Sequence, residues 1–318
     1  MNTQAHRTFE DTPATRSQTP LFIGLFAPTG AGKTYSALRL ATGIQRVVGG
    51  EIFGIDTESN RMRHYADTFK FRHVPFSPPF SPLDYIAAID HCVERGAKTI
   101  IVDSATHEHE GQGGALEWHL AETKRLAQAW GCSEAKAQIS AWGVPKAARR
   151  KLIARILQIN ANIIFCFRAR EKLKVERGKD PVELGFMPIG AEEIFYEMTL
   201  GCLLLPMQKG VPNWTSQLPG EKLMMKLPAQ FEALFGESKQ LDESIGEKLA
   251  TWAAGGASAT AAVDTPEKLL EEYSKCASRS AWDGLEKRRA ALWATAKGNI
   301  KQRLKDASDT AADRLRSP

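Results

Sequence analysis

The sequence is poor in the features that mark secreted, metal-stapled and membrane-embedded chains. Its 318 residues include five cysteines, Cys92, Cys132, Cys166, Cys202 and Cys276, scattered, odd in number and never in a C-x-x-C pair. That spacing argues against a zinc ribbon and a disulfide framework, and points to a reducing cytoplasm. There is no run of eighteen apolar residues, so neither a transmembrane helix nor a membrane partner is expected. The opening stretch MNTQAHRTFEDTPATRSQTP lacks the apolar centre of a signal peptide, and residues 1–20 read as a disordered lead-in. His107-Glu108-His109-Glu110 lacks the H-E-x-x-H spacing of a helical zinc site. Charge of one sign is also scarce. With 42 basic and 37 acidic residues the net charge is +5, which permits nucleic-acid contact without requiring it.

What is present is an alternation of short apolar runs with helical patterns. Leu21–Phe26 reads as a buried strand that ends in a Gly-rich turn and passes into a helix at Lys33–Arg46. Glu51–Asp56 and Thr99–Asp103 are further strands. Ser81-Pro82 caps a helix that runs to about Arg95, with Ser as N-cap and Pro in the first helical position. Gly114–Ile159 is mainly helical, broken in two at Gly143-Val144-Pro145, and Asn162–Phe167 is a fourth strand. This alternation predicts the α/β class, a mostly parallel sheet flanked by helices. Beyond residue 190, Glu193–Leu205 and Trp214–Leu227 read as strands of an antiparallel extension. The domain organisation expected is an α/β domain over 21–252, a small-residue linker over 253–264 and a helical module of two helices over 265–318.

The chemistry concentrates in Ala27-Pro28-Thr29-Gly30-Ala31-Gly32-Lys33-Thr34. This is the phosphate-loop pattern G-x-x-x-x-G-K-[ST] with a small Ala at its first position. Amides from Gly30 to Lys33 form a concave anion site, reinforced by the N-terminus of the following helix. Lys33 is expected to reach the β- and γ-phosphates and the Thr34 hydroxyl to ligate magnesium, so the cofactors expected are ATP and Mg²⁺. Asp103 ends an apolar strand, and in an open parallel sheet ligands gather outside the carboxyl ends of the strands. It is the expected second anchor of the magnesium shell, with Ser104 beside it. In Ile55-Asp56-Thr57-Glu58, Glu58 is the expected water-orienting group, because catalysis of phosphoryl transfer is largely positioning and electrostatics. Glu108 and Glu110 are the next acids for that role.

The strand-end Asp56-Thr57-Glu58 and the Ile100-Ile101-Val102-Asp103-Ser104 strand together resemble the RecA-like recombinase and DnaB-like ATPase class. The layout over roughly residues 20–255 resembles phage-encoded AAA-domain ATPases related to the core-only RecA-like annealing proteins of bacteriophages. It takes in Phe167-Arg168-Ala169-Arg170-Glu171-Lys172 and Gly246-x-x-Leu249-x-x-Trp252. The resemblance implies a RecA-like P-loop fold and an ATPase that assembles with itself and completes its sites between subunits. It implies action on DNA in phage or prophage recombination, repair or replication. It also implies that Arg168 and Arg170 sense the γ-phosphate, and that Lys172–Lys179 sits where such proteins contact single-stranded DNA. The alternative is a nucleotide-dependent switch or assembly factor that engages a protein partner through the C-terminal helices.

Two further patterns carry two readings each. Lys146, Arg149, Arg150, Lys151 and Arg155 form a basic run on one helix, either a stripe that follows a phosphate backbone or a solvated face. Trp282 and Trp293 are either core residues of a helical hairpin or a base-stacking platform.

Overall fold

The computed structural model describes residues 19–175, 180–190, 192–235, 239–255, 266–274, 276, 278–293 and 298–316. Eight strands form one sheet: β1 (Phe22–Ala27), β2 (Ile52–Asp56), β3 (Arg72–Pro75), β4 (Thr99–Asp103), β5 (Asn162–Lys174), β6 (Val182–Pro188), β7 (Leu200–Leu204) and β8 (Pro212–Asn213). Their order is β3-β2-β4-β5-β1-β7-β8, with β6 paired to β5. Every pair from β3 to β7 along that path is parallel. The β5–β6 and β7–β8 pairs are antiparallel. This is the mostly parallel, helix-flanked sheet of the P-loop α/β fold.

The larger helices around it are α1 (Lys33–Val48), α2 (Pro82–Glu94), α4 (Ala115–Trp130), α6 (Gly143–Gln158) and α9 (Glu243–Ala253), with single turns α3 (His107–Glu110), α5 (Glu134–Ala137), α7 (Glu192–Tyr196) and α8 (Pro219–Lys222). Strands covered on both faces read as unbroken apolar runs, and successive side chains enter opposite cores. Ile101, Ile164 and Leu25 join α1 and α9 on one face. Ile100, Val102, Phe165 and Phe26 join α2 and α6 on the other. The Ser81 cap forms a full capping box with Asp84.

The α1–α9 contact is unusually close. A Cβ on Gly43 would overlap the Glu243 carbonyl, and one on Gly246 would overlap the Leu40 carbonyl. The two backbones therefore touch with no side chain between them. Arg39–Glu243 and Arg46–Glu247 ion pairs, each 2.7 Å, flank the contact.

Several expectations are corrected. The Pro-rich loop contains a half-exposed strand, β3. Gly143-Val144-Pro145 opens α6 rather than breaking a helix, because Pro is tolerated in a first turn; the break lies after the left-handed Gly131. Of Glu193–Leu205, the first part is α7 and only Leu200–Leu204 is strand, parallel to β1. Trp214–Leu227 contains α8 and no strand, only an isolated bridge from Gly201 to Lys226. The long antiparallel hairpin is β5–β6, because β5 continues seven residues past Phe167.

The chain divides into two compact units, Met1–Ala257 and Ser258–Pro318. Residues 1–18 and 256–264 of the expected lead-in and linker lie outside the described residues. Among its described residues the second unit has three helices where two were expected: α10 (Pro266–Ser274), α11 (Arg279–Trp293) and α12 (Gly298–Arg316). They pack on Leu269, Tyr273, Leu285 and Leu304. Trp282 packs against that core, and its indole N–H donates to the Ser308 carbonyl at 3.2 Å. No helix among the described residues is long and apolar enough to cross a membrane.

Candidate functional site

Parallel register brings the carboxyl ends of β1, β2 and β4 beside the middle of β5 at one edge of the sheet. Asp56 aligns with Asp103, Asp103 with Cys166, and Ala27 with Arg168. The loop after β1 turns through Gly30 (φ 80°) and Gly32 (φ 85°), left-handed conformations that a Cβ would strain. Gly32 is the N-cap of α1. The cap makes no side-chain hydrogen bond and the first turn of α1 has no acidic residue, so no local side chain takes up the first amides of this helix.

Lys33 opens α1 and folds back over the loop. Its Nζ donates to the Ala27 carbonyl at 3.0 Å and the Pro28 carbonyl at 3.2 Å. Thr34 Oγ1 donates to Asp103 Oδ2 at 2.5 Å. The Asp103 carboxyl is buried, and burial pushes it up to about 6 despite the Thr34 hydrogen bond.

Glu58 stands past the end of β2 and Arg168 on β5. Glu58 Oε1 accepts from Arg168 Nη2 at 2.8 Å and Nε at 3.0 Å, while Oε2 meets Arg61 Nη1 at 3.4 Å. Burial raises the Glu58 carboxyl, but the Arg168 hydrogen bonds and charge outweigh it and hold the group below its ordinary range. The loop carrying Glu58 is fixed by Asp56, whose carboxylate accepts from the Glu58 amide at 2.8 Å and the Met62 amide at 2.9 Å.

These side chains line one cleft of about 400 Å³, bounded by Gly30, Lys33, Thr34, Glu58, Asp103 and Arg168. Its far wall carries Met62, His64 and Tyr65. Ala27 is buried at the strand end, and Thr29, Gly30 and Gly32 border the cleft; Pro28 and Ala31 complete the loop without lining it. Arg170 is exposed further along β5 and does not line the cleft. Only the first of the two arginines is therefore at the site. Neither ends its strand, since β5 runs on to Lys174.

Sequence reasoning missed the layer beneath. The buried Thr57 hydroxyl donates to the Ser104 carbonyl at 3.0 Å and accepts from the Ser104 amide at 2.7 Å. His107 Nδ1 lies 2.8 Å from that hydroxyl, and its ring stacks on Phe80. Burial, with the Arg168 charge second, lowers His107 and favours its neutral form. Ser104 is buried and bonds the Cys166 carbonyl, so it ties strand ends together instead of facing the cleft.

The reserve acids fall away too. Glu108 is buried and takes both Nε and Nη2 of Arg149 at 3.1 Å, and Glu110 is exposed. That pair also withdraws Arg149 from the basic run on α6, and Arg155 pairs with Asp90 at 2.6 Å. Of the run, Lys146, Arg150 and Lys151 remain exposed. No cluster of three or more His, Cys, Asp or Glu suited to a metal occurs among the described residues.

A protein-family model described as AAA domain matches residues 19–199, more than half of the chain, from the strand before the phosphate loop through the β5–β6 hairpin. No curated protein matches the chain.

Proposed function

This chain belongs to the AAA domain family, and we propose that it is a RecA-like ATPase acting on DNA in phage or prophage recombination, repair or replication. One observation carries the reading. Lys33 and Thr34 of α1, Glu58 past the end of β2, Asp103 at the end of β4 and Arg168 within β5 line one cleft at the N-terminus of α1.

The residues fit a magnesium-bound triphosphate. The α1 amides suit phosphate oxygens. The Ala27 and Pro28 carbonyls that Lys33 now holds are oxygen acceptors, which phosphate oxygens would replace. Thr34 and Asp103 would offer adjacent hard oxygen donors to a magnesium ion. When bound, magnesium adds positive charge that offsets the phosphate charge.

Lys33 holds the β- and γ-phosphates. Glu58 orients the attacking water and takes its proton. Arg168 balances the Glu58 carboxylate before nucleotide enters, and its guanidinium suits a γ-phosphate oxygen once nucleotide is bound. Asp56 holds the Glu58 loop still. In a self-assembled form, neighbouring copies would complete the site.

For DNA, the support is the β5–β6 hairpin, which carries exposed Arg170, Lys172 and Lys174. Residues 176–179 of the expected contact loop lie outside the described residues. Such side chains bind phosphates without reading sequence. The test is ATP hydrolysis with and without single-stranded and duplex DNA at two salt concentrations. Stimulation that falls with salt, and that Arg170→Ala with Lys172→Ala and Lys174→Ala removes, supports the reading. Unchanged hydrolysis together with no DNA binding at low salt overturns it. That outcome favours a switch engaging a protein partner, a reading suited to the exposed Trp130 at the end of α4, Ile139 after it and Val144 at the start of α6.

A further inference from the structure

Glu58 can orient a water only if its own carboxylate is held in place. It follows the end of β2, two residues after Asp56 and next to Thr57, both of which are buried. We propose that His73 on β3 and His107 on α3 clamp Asp56-Thr57-Glu58 and are positioning residues for hydrolysis, each acting through one defined ring nitrogen. This rests on the ATPase reading given above and deepens it, since neither ring lines the cleft.

The first contact comes from β3, whose register sets His73 beside Gly54 of β2. His73 Nε2 lies 3.0 Å from Asp56 Oδ2. That oxygen also accepts from the Met62 amide, while Asp56 Oδ1 accepts from the Glu58 amide. The other ring nitrogen, Nδ1, receives Arg63 Nε at 3.1 Å. A guanidinium only donates, so Nδ1 is an acceptor and Nε2 carries the hydrogen that Asp56 takes. A buried carboxylate depends on such donors, and losing one loosens the group that fixes the Glu58 amide.

The second contact comes from α3. The Thr57 hydroxyl has one hydrogen and two lone pairs. Its oxygen stands 3.0 Å from the Ser104 carbonyl oxygen, whose other lone pair takes the Tyr85 hydroxyl. Two oxygens at that distance repel unless a hydrogen lies between them, so the Thr57 hydrogen points there. The Ser104 amide fills one lone pair at 2.7 Å. Toward His107 Nδ1, at 2.8 Å, the hydroxyl can therefore only accept. Burial favours the neutral ring, which has one hydrogen to place, and it belongs on Nδ1. Phe80 stacks on the ring and fixes its plane.

The two histidines thus hold the segment through opposite nitrogens, Nε2 of one and Nδ1 of the other. Lys33 and Thr34 stand on α1 and are untouched by either contact. The clamp should accordingly govern the chemical step and leave nucleotide affinity alone, because a displaced base costs rate.

The experiment uses the two side-chain amides on the full chain. An Asn amide nitrogen falls where Nδ1 was, and a Gln amide nitrogen reaches the place of Nε2. His73→Gln and His107→Asn should keep single-turnover hydrolysis within about threefold of wild type, whereas His73→Asn and His107→Gln should slow it by roughly 10–100-fold. ATP affinity by equilibrium titration should stay within about twofold in all four. Gln is nearer to His in size than Asn, so a packing role alone predicts the reverse order at position 107. Equal losses from Asn and Gln at both positions overturn the proposal, as does ATP affinity falling in step with the rate. A second measurement needs no variant to fold: nitrogen–proton correlation on nucleotide-free wild type with isotope-labelled histidine. It should show an Nδ1–H ring for His107 and an Nε2–H ring for His73, and finding all seven histidines in the Nε2–H form overturns the proposal. If the wild-type chain does not hydrolyse ATP, it is the ATPase reading that fails, while the tautomers still decide whether the clamp is present.

Discussion

Glu58 and Arg168, 110 residues apart in sequence, share two hydrogen bonds to a single carboxylate oxygen. The pair joins the end of β2 to β5 across the end of β4, the strand between them. It keeps Glu58 ionised in a half-buried position, and ionised is the form a general base needs.

Glu58→Gln keeps the shape and removes the charge. Single-turnover hydrolysis should slow by roughly 10²–10⁴-fold, the usual worth of a positioned base, with nucleotide affinity little changed. Near-normal turnover would remove Glu58 from the mechanism. Arg168→Gln should raise the Glu58 carboxyl, moving the acid limb of the rate profile to higher pH.

Lys33→Ala should abolish nucleotide binding, since the Lys33 ammonium folds over the loop. Thr34→Ala should weaken only the magnesium-dependent part of binding, because it removes one ligand among several. Equilibrium titration with and without magnesium separates the two.

Asp103 makes the site sensitive to acid. Burial pushes its folded carboxyl up to about 6, above that of the unfolded chain. The folded state therefore holds the proton longer, and stability from this group is lost as pH rises from the ordinary Asp range to about 6. Asp103→Asn should stabilise the nucleotide-free protein at pH 7 by about 1–3 kcal/mol in denaturant titration. The same substitution should lose magnesium affinity and turnover together. In the wild type, magnesium-dependent binding should weaken as pH falls through about 6.

Glu108 and Arg149 are each nearly fully buried. Arg149→Ala strands a carboxylate and should cost about 3–5 kcal/mol. Burial already raises Glu108, and without Arg149 it would rise further. The variant should thus recover stability as pH is lowered, because protonated Glu108 tolerates burial. Glu108→Met with Arg149→Met should restore most of the loss, seen by denaturant titration at two pH values.

The parts legible in the sequence are those written locally. The loop 27–34, the buried strands β1, β2 and β4, and the acids at their ends follow from short runs and neighbouring turns, and parallel register then brings them to one edge. Non-local pairing was not legible. Arg149 looks like one more surface base on α6 until Glu108, 41 residues earlier, is found against it. The strand β3 hides because it is half-exposed and ends in proline, and β5 hides its outer half because Glu171 and Lys172 break the apolar run. The direction of β7 depends on β1, some 177 residues away, and no local pattern records it. A cavity beside the phosphate loop was invisible for the same reason, since its walls come from α1, the turn after β7 and the segment before α9.

The glycine contact between α1 and α9 has a mechanical meaning. Two helices separated by side chains can slide or tilt by rotamer changes, which absorb small displacements. Gly43 and Gly246 leave no such cushion, and ion pairs flank the contact. The helix that begins at the phosphate loop and the helix that begins two residues after Leu241 thus form a single stiff lever. A displacement of α1 would therefore carry α9 with it.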